Sequence, residues 1–374
     1  MEHKPIPRLA VFAYAFPHHR SIDFLQEIAT WSTDEVVVFA APWRKIENRS
    51  DAKLGFERSF RRVSPRSTSV VCKALNFKYF EVHHDDFYAI KSLTENCFLN
   101  FGIIAGARII KPNIINLFSG GVVNIHPGKI PETSGLDSFY YSIKKGVALG
   151  ATAHFIDSRV DAGRFLDFVE TKIGINDSIE MVQLNNAQSE LIALRRVLQK
   201  FSEGKLDSTL ISRPEKNAPM SNEEREFAVS RFTDWRVRVF LEQIKDDLFI
   251  GCEEGDLQRI SEIIRNFPFL LEARNCKGWT PLIVSSFNQQ LKVVEFLLGA
   301  GADPNATGFK GTTPLMYAKT KLIGCLDADY RLLETLIVNG ARINYVDSYG
   351  KSILEYVETA GDVQMLKWLH SHKK

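Results

Sequence analysis

The sequence predicts an α/β domain, built on a mostly parallel sheet covered by helices, followed by an all-helical repeat domain. Three observations carry this reading. Short apolar runs alternate with helix-like periodicity through the first half, a long amphipathic stretch closes that half, and a six-residue turn pattern recurs after 33 residues in the last third.

Each predicted element has its own warrant. Leu9-Ala-Val-Phe-Ala-Tyr14 is a continuous apolar run and reads as a buried strand. Ser21 to Ala29 reads as the helix after it, with Ser21 as the N-cap. Glu35-Val-Val-Val-Phe39, Ile103-Ile104 and Val122-Val-Asn-Ile125 continue the strand series. From Ser178 to Phe201, apolar residues at Ile179, Val182, Ala187, Leu191, Leu194, Leu198 and Phe201 predict one amphipathic helix. It closes a first domain assigned to residues 1–205. Polar, proline-containing sequence follows from about Gly204 to Glu226, and residues 206–245 are read as a connecting segment. The stretch Trp43 to Arg66 holds eight basic against three acidic residues, and reads as a solvated surface excursion in preference to the alternative, a phosphate-facing loop.

In the last third, Lys277-Gly-Trp-Thr-Pro-Leu282 recurs as Lys310-Gly-Thr-Thr-Pro-Leu315 and, more weakly, as Tyr349-Gly-Lys-Ser-Ile-Leu354. This period, with its Thr-Pro-Leu turn and Gly-Ala-Asp type loops, resembles the ankyrin repeat. The resemblance assigns repeats to residues 246–374. Asp246 to Asn275 is the first, Tyr349 to Lys374 a polar cap, and a six-residue insertion falls around Thr320 to Asp329. Such repeats bury their apolar faces only against one another. Their turn tips carry Trp279, Phe309 and Tyr349 beside Lys277, Lys310 and Lys351. These are read either as cover for the repeat core or as a surface for a second ligand or protein partner.

Composition excludes several function classes. A net charge of +2 argues against a polyanion binder, so no nucleic-acid partner is expected. The five cysteines include no CxxC pair and read as reduced thiols, with neither a disulfide frame nor a zinc site. Met1 to Leu9 has no apolar run of signal-peptide type, and the longest apolar stretch, Phe101 to Ile110, contains Arg108 and is too short to span a bilayer. A cytoplasmic protein with no membrane contact and no bound metal is the expectation.

The chemistry-bearing stretch is Asn124-Ile-His-Pro-Gly-Lys-Ile-Pro131, followed downstream by Val160-Asp161-Ala-Gly163. Asn124 and His126 alternate at a strand end and so share one face. Strand C-termini are where an open α/β sheet places its site. With these residues in view, positions 8–200 resemble the folate-dependent formyltransferase family. The resemblance implies a Rossmann-like catalytic domain using 10-formyltetrahydrofolate as co-substrate, with Asn124, His126 and Asp161 catalytic. It implies contact with the folate at Ile104, Arg108, Ile109, Ile110, Ile156 and Asp157.

The acceptor follows from the same resemblance. Tyr14-Ala-Phe-Pro-His-His-Arg-Ser21 replaces the glycine-rich loop of the purine enzymes, and it proposes Tyr14, His18, His19 and Arg20 as a pyrophosphate cradle at a helix N-terminus. With the appended repeats, this resembles the sugar N-formyltransferases of surface polysaccharide (O-antigen) synthesis. A dTDP-linked 3-amino-3,6-dideoxyglucose is the expected acceptor, its 4-amino isomer the alternative, and a homodimer the expected assembly. A different class, a protein-binding repeat module beside a vestigial catalytic half, stands against these.

Overall fold

The computed structural model describes residues 8–31, 35–44, 66–107, 109–157, 163–211, 217–325 and 327–372. Arg108, Asp161 and most of the basic run after Trp43 lie outside them. The chain divides into two compact units, Met1–Phe240 and Leu241–Lys374.

The first unit is built on one sheet with strand order β3-β2-β1-β4-β5-β6-β7-β8. Its strands are β1 (Leu9–Tyr14), β2 (Val36–Ala41), β3 (Lys78–Glu81), β4 (Phe101–Ile104), β5 (Gly121–His126), β6 (Gly150–Phe155), β7 (Arg164–Glu170) and β8 (Thr209–Leu210). Pairing is parallel from β3 through β5 and antiparallel from β5 through β8.

The continuous apolar runs of β1 and β2 have a direct cause. Leu9, Val11 and Ala13 enter one core with α1 (His19–Ile28) and α6 (Ile179–Glu203), while Ala10 and Phe12 enter a second core on the other face. A parallel strand covered on both faces has no use for alternation. The second core is completed by α3 (Phe87–Asn96) and α4 (Pro112–Ile115), and α2 (Thr68–Ala74) packs with the first. Two elements differ from expectation. The helix after β1 begins at His19, because the His18 side chain accepts from Ser21 N–H and takes the cap. Ser21 lies fully buried inside the first turn, with its hydroxyl on the Ala105 carbonyl. Ser178 does cap α6, and Gly204 ends that helix at φ 66°, a left-handed turn suited to glycine.

The described part of the stretch expected to connect the two modules carries regular structure. It holds β8, α7 (Asn222–Ser230) and the start of α8 (Phe232–Glu254). Met220, Ala228, Phe232, Trp235 and Val239 are buried with Phe139, Tyr140, Tyr141 and Ile143 of α5 (Ser138–Lys145).

The second unit continues through α9 (Leu257–Asn266), α10 (Pro281–Phe287), α11 (Leu291–Gly299), α12 (Pro314–Ala318), α13 (Arg331–Val338), α14 (Ile353–Thr359) and α15 (Val363–Ser371). The recurring Thr-Pro-Leu is a helix start. Thr280 and Thr313 accept from Ile283 N–H and Met316 N–H, and Pro281 and Pro314 occupy the first helical turn. Ser352 does the same in the weaker third copy, with Glu355 closing a capping box. One apolar core runs through these helices. Trp279 joins it as a half-buried ring, 4.4 Å from Tyr317 and 5.3 Å from Phe287 between centroids, whereas Phe309 and Tyr349 are 75% and 65% exposed. Cys72, Cys97 and Cys252 are buried, Cys276 and Cys325 exposed. Among the described residues no helix is long and apolar enough to cross a membrane, and no His, Cys, Asp and Glu cluster is placed to hold a metal ion.

Candidate active site

β5 and β6 pair with Asn124 opposite His154 and His126 opposite Thr152. Side chains two apart on a strand share a face, and directly paired residues share it across strands. These four polar groups therefore form one patch at the sheet's centre. Asn124 Nδ2 lies 3.3 Å from His154 Nε2. An amide N–H can only donate, so that ring nitrogen accepts and the Asn124 amide is oriented. His154 is fully buried, which gives the amide a fixed partner.

His126 is fixed in its turn. Its Nε2 donates to the Thr133 carbonyl at 2.9 Å and stands 3.2 Å from Ser138 Oγ. A carbonyl only accepts, so the neutral ring carries its proton on Nε2 and its basic nitrogen is Nδ1. The loop between β5 and α5 supplies Thr133, and the first residue of α5 supplies Ser138, as the chain folds tightly over the ring. Gly128 makes this possible. A Cβ there would sit 2.4 Å from Thr133 Oγ1 and 3.0 Å from His126 Nε2. Thr152, fully buried, ties the same loop to β6, donating to Gly128 O at 2.6 Å and accepting from Ile130 N–H at 3.1 Å.

The other expected residues fall into separate groups. Ile104 pairs with Asn124 across β4 and β5, and shares one apolar cluster with Ile110 and the partly buried Ile156. Ile109 is 71% exposed and belongs to no such cluster. Asp157, partly exposed, follows Ile156, whose N–H donates to Val122 O. Beyond the end of β1, Tyr14 stacks on Phe16 at 4.7 Å and meets His18 edge-on at 4.9 Å, with His19 opening α1. Gly106 lets this cluster close, since a Cβ there would lie 3.0 Å from Tyr14 and 3.1 Å from His18.

Arg20 does not stand with this group. Its guanidinium donates to the Ile125 carbonyl, pairs with Glu190 at 2.9 Å and covers the Phe24 ring. Glu190 and Asn186 lie one turn apart on α6, and Asn186 Nδ2 donates to Pro127 O at 3.4 Å. The carbonyls on both sides of His126 are thus held, one from α1 and one from α6. Sequence reading alone leaves out His154, Thr133 and Asn186. His154 alternates with Thr152 as a polar residue in an apolar strand, which is the signal that could have found it.

Comparison with known proteins adds the following. Residues 67–198 match the formyl transferase family. The stretch includes Asn124, His126 and His154. Residues 277–309 match the ankyrin repeat. A phosphoribosylglycinamide formyltransferase of Haemophilus influenzae is 30% identical over 120 residues, 32% of this chain and 57% of that protein. Its namesake in Bacillus subtilis is 27% identical over 77 residues, 20% of this chain and 40% of that protein. The trifunctional purine biosynthetic protein adenosine-3 of Chironomus tentans is 30% identical over 98 residues, 26% of this chain and 7% of that protein. The chain thus spans about half the length of the bacterial relatives it matches.

Proposed function

We propose that this chain is a folate-dependent N-formyltransferase that moves a formyl group from 10-formyltetrahydrofolate to the amine of a nucleotide-linked amino sugar. The observation that carries this reading is the pairing of Asn124 and His126 on one strand face, each with its hydrogen-bonding direction set by a buried partner. The acceptor amine attacks the formyl carbon and charge develops on the formyl oxygen. Asn124 gives one amide hydrogen to His154 and has a second for that oxygen, a contribution of about 3 kcal/mol for an oxyanion donor. His126 takes the proton of the attacking nitrogen at Nδ1, and the bond to the folate nitrogen breaks as that nitrogen gains a proton. Asp161 is proposed as the third catalytic residue, acting through water on the Nδ1 side of His126, since Nε2 is held by Thr133. The apolar Ile104, Ile110 and Ile156 suit the flat face of a pterin beside Asn124.

For the acceptor, the Tyr14–Phe16–His18 cluster offers aromatic surface and a ring donor at the start of α1, features that suit a nucleoside diphosphate. Together with the appended repeats this supports a dTDP-linked 3-amino-3,6-dideoxyglucose, for surface polysaccharide synthesis by a cytoplasmic homodimer. The names of the bacterial relatives favour a second reading, glycinamide ribonucleotide as acceptor. One experiment separates them. The full chain is incubated with 10-formyltetrahydrofolate and a panel of nucleotide-linked 3-amino and 4-amino sugars and glycinamide ribonucleotide, and products are weighed for the gain of one carbonyl unit. Formylation of the ribonucleotide alone would overturn the sugar assignment, and no product with any amine would overturn formyl transfer.

A further inference from the structure

Thr133, whose carbonyl accepts the hydrogen bond from His126 Nε2, sits between two carbonyls held by a single distant side chain. Asn217 Nδ2 donates to Ser134 O at 2.8 Å and to Glu132 O at 3.2 Å. Its backbone N–H adds a bond to Ser134 O at 3.3 Å. Asn217 Oδ1 accepts from Lys145 Nζ at 2.7 Å, and the same ammonium donates to Glu132 O at 2.7 Å. The amide oxygen and nitrogen of Asn217 are all in use, and all serve one short loop. Residues beyond Asn217 continue the attachment. Tyr141 donates to Ala218 O at 2.8 Å, Met220 N–H donates to the Asp137 carboxylate at 2.9 Å, and Arg225 pairs with Asp137 at 3.0 Å. The stretch 217–225 is a strap laid along the loop that faces His126. It lies outside the matched formyl transferase stretch, which ends at residue 198.

We propose that Asn217 is a positioning residue for His126, acting through Thr133, so that the stretch after the matched domain is a working part of the site. Without the side-chain donor, Ser134 O keeps only the longer backbone bond and Glu132 O only Lys145, and the Thr133 carbonyl between them can drift from the ring. A misplacement near 1 Å is enough to cost on the order of 100-fold in rate.

The kinetic arm of the test rests on the formyl-transfer reading, and the spectroscopic arm does not. Full-length chain carrying ¹⁵N-histidine is titrated by NMR, with the His126 signals assigned by their loss in His126→Gln. The wild type shows the Nε2–H tautomer. Asn217→Ala shifts the ring toward the other tautomer, while kcat falls roughly 10- to 100-fold and both KM values stay within about threefold. Asn217→Asp keeps the Lys145 contact but loses both amide donors, and moves the same readouts the same way; it decides the matter should the alanine variant fail to fold. Lys144→Ala, which removes an exposed pair with Glu224 and a cation contact over the Tyr141 ring but no bond to residues 132–134, moves neither. Folded Asn217 variants with unchanged His126 signals would overturn the proposal. A wild type inert toward every amine would sink the functional reading and leave the NMR result to decide the positioning.

Discussion

Arg20 and Glu190 meet as an ion pair at 2.9 Å between α1 and α6, and the same guanidinium donates to the carbonyl of Ile125, the residue between Asn124 and His126. Arg20 is therefore a brace for the strand that carries both. Glu190→Ala leaves the guanidinium short of its counter-charge, and removing one member of a mostly buried pair costs about 3 kcal/mol. Denaturant unfolding should show that loss. Arg20→Ala should lower stability and kcat together, without a selective rise in KM for the nucleotide-linked acceptor.

His126→Ala and Asn124→Ala should each lower kcat by ~100-fold or more with the fold intact, as expected for a proton acceptor and an oxyanion donor. Retention of a third of wild-type kcat in both, in variants with native circular dichroism, would contradict their roles.

Trp235 is 3% exposed, meets Phe139 edge-on at 6.3 Å and donates from Nε1 to Val147 O at 2.9 Å. Trp235→Ala should destabilise the first unit by about 3–5 kcal/mol through the cavity it leaves. A change below about 1 kcal/mol would mean that α8 is not part of that core.

Much of the first unit was legible because its strands obey simple rules. β1 and β2 are apolar throughout since both faces are covered, and α6 repeats its apolar positions under a serine cap. The start of α1 misled, because Ser21 has the chemistry of a cap but His18 occupies that position. The stretch 206–245 misled more. Its polar composition hides α7, although Ser221-x-x-Glu224 is a capping box, and the start of α8 joins that core through Phe232, Trp235 and Val239, which follow the polar run. Within the site, Asn124 and His126 were legible from spacing. His154, Thr133 and Asn217 were not, because strand pairing and loop closure, not sequence distance, bring them together.

Asp362 caps α15 by accepting from Met365 N–H at 2.9 Å, and its second oxygen takes Gly324 N–H at 3.0 Å. The bonds from Met365 and then Gly324 hold its carboxyl below the usual carboxylate range. A lowered folded pKa means the contribution is present above the unfolded value, about 3.9, and fades as pH falls through the folded one. Asp362→Ala should cost about 1 kcal/mol at pH 7, the usual worth of such a cap. The gap between variant and wild type should shrink below about pH 4, as thermal melts at both pH values would show.

Trp279 has Lys277 Nζ 5.0 Å over its ring as well as its contacts with Tyr317 and Phe287. Trp279→Ala should lower the melting temperature of the repeats yet change kcat by less than about threefold, as for a residue without transition-state contacts. A hundredfold loss in a folded variant would place the repeats in the catalytic machinery.

The cysteines described with the fold divide the chain for a chemist. Burial pushes the Cys72 and Cys252 thiols up to about 12, so at neutral pH they offer almost no thiolate to an alkylating reagent. Cys97 is buried too, whereas Cys276 and Cys325 face solvent and both lie in the second unit. A maleimide dye added to the native protein will therefore mark the repeats and spare the sheet. With either cysteine changed to serine the label becomes a single-site reporter. One position sits beside the Lys277–Trp279 turn tip and the other in the insertion before α13. A ligand or partner of the repeats can then be sought by fluorescence on the wild-type catalytic half, whatever amine that half accepts.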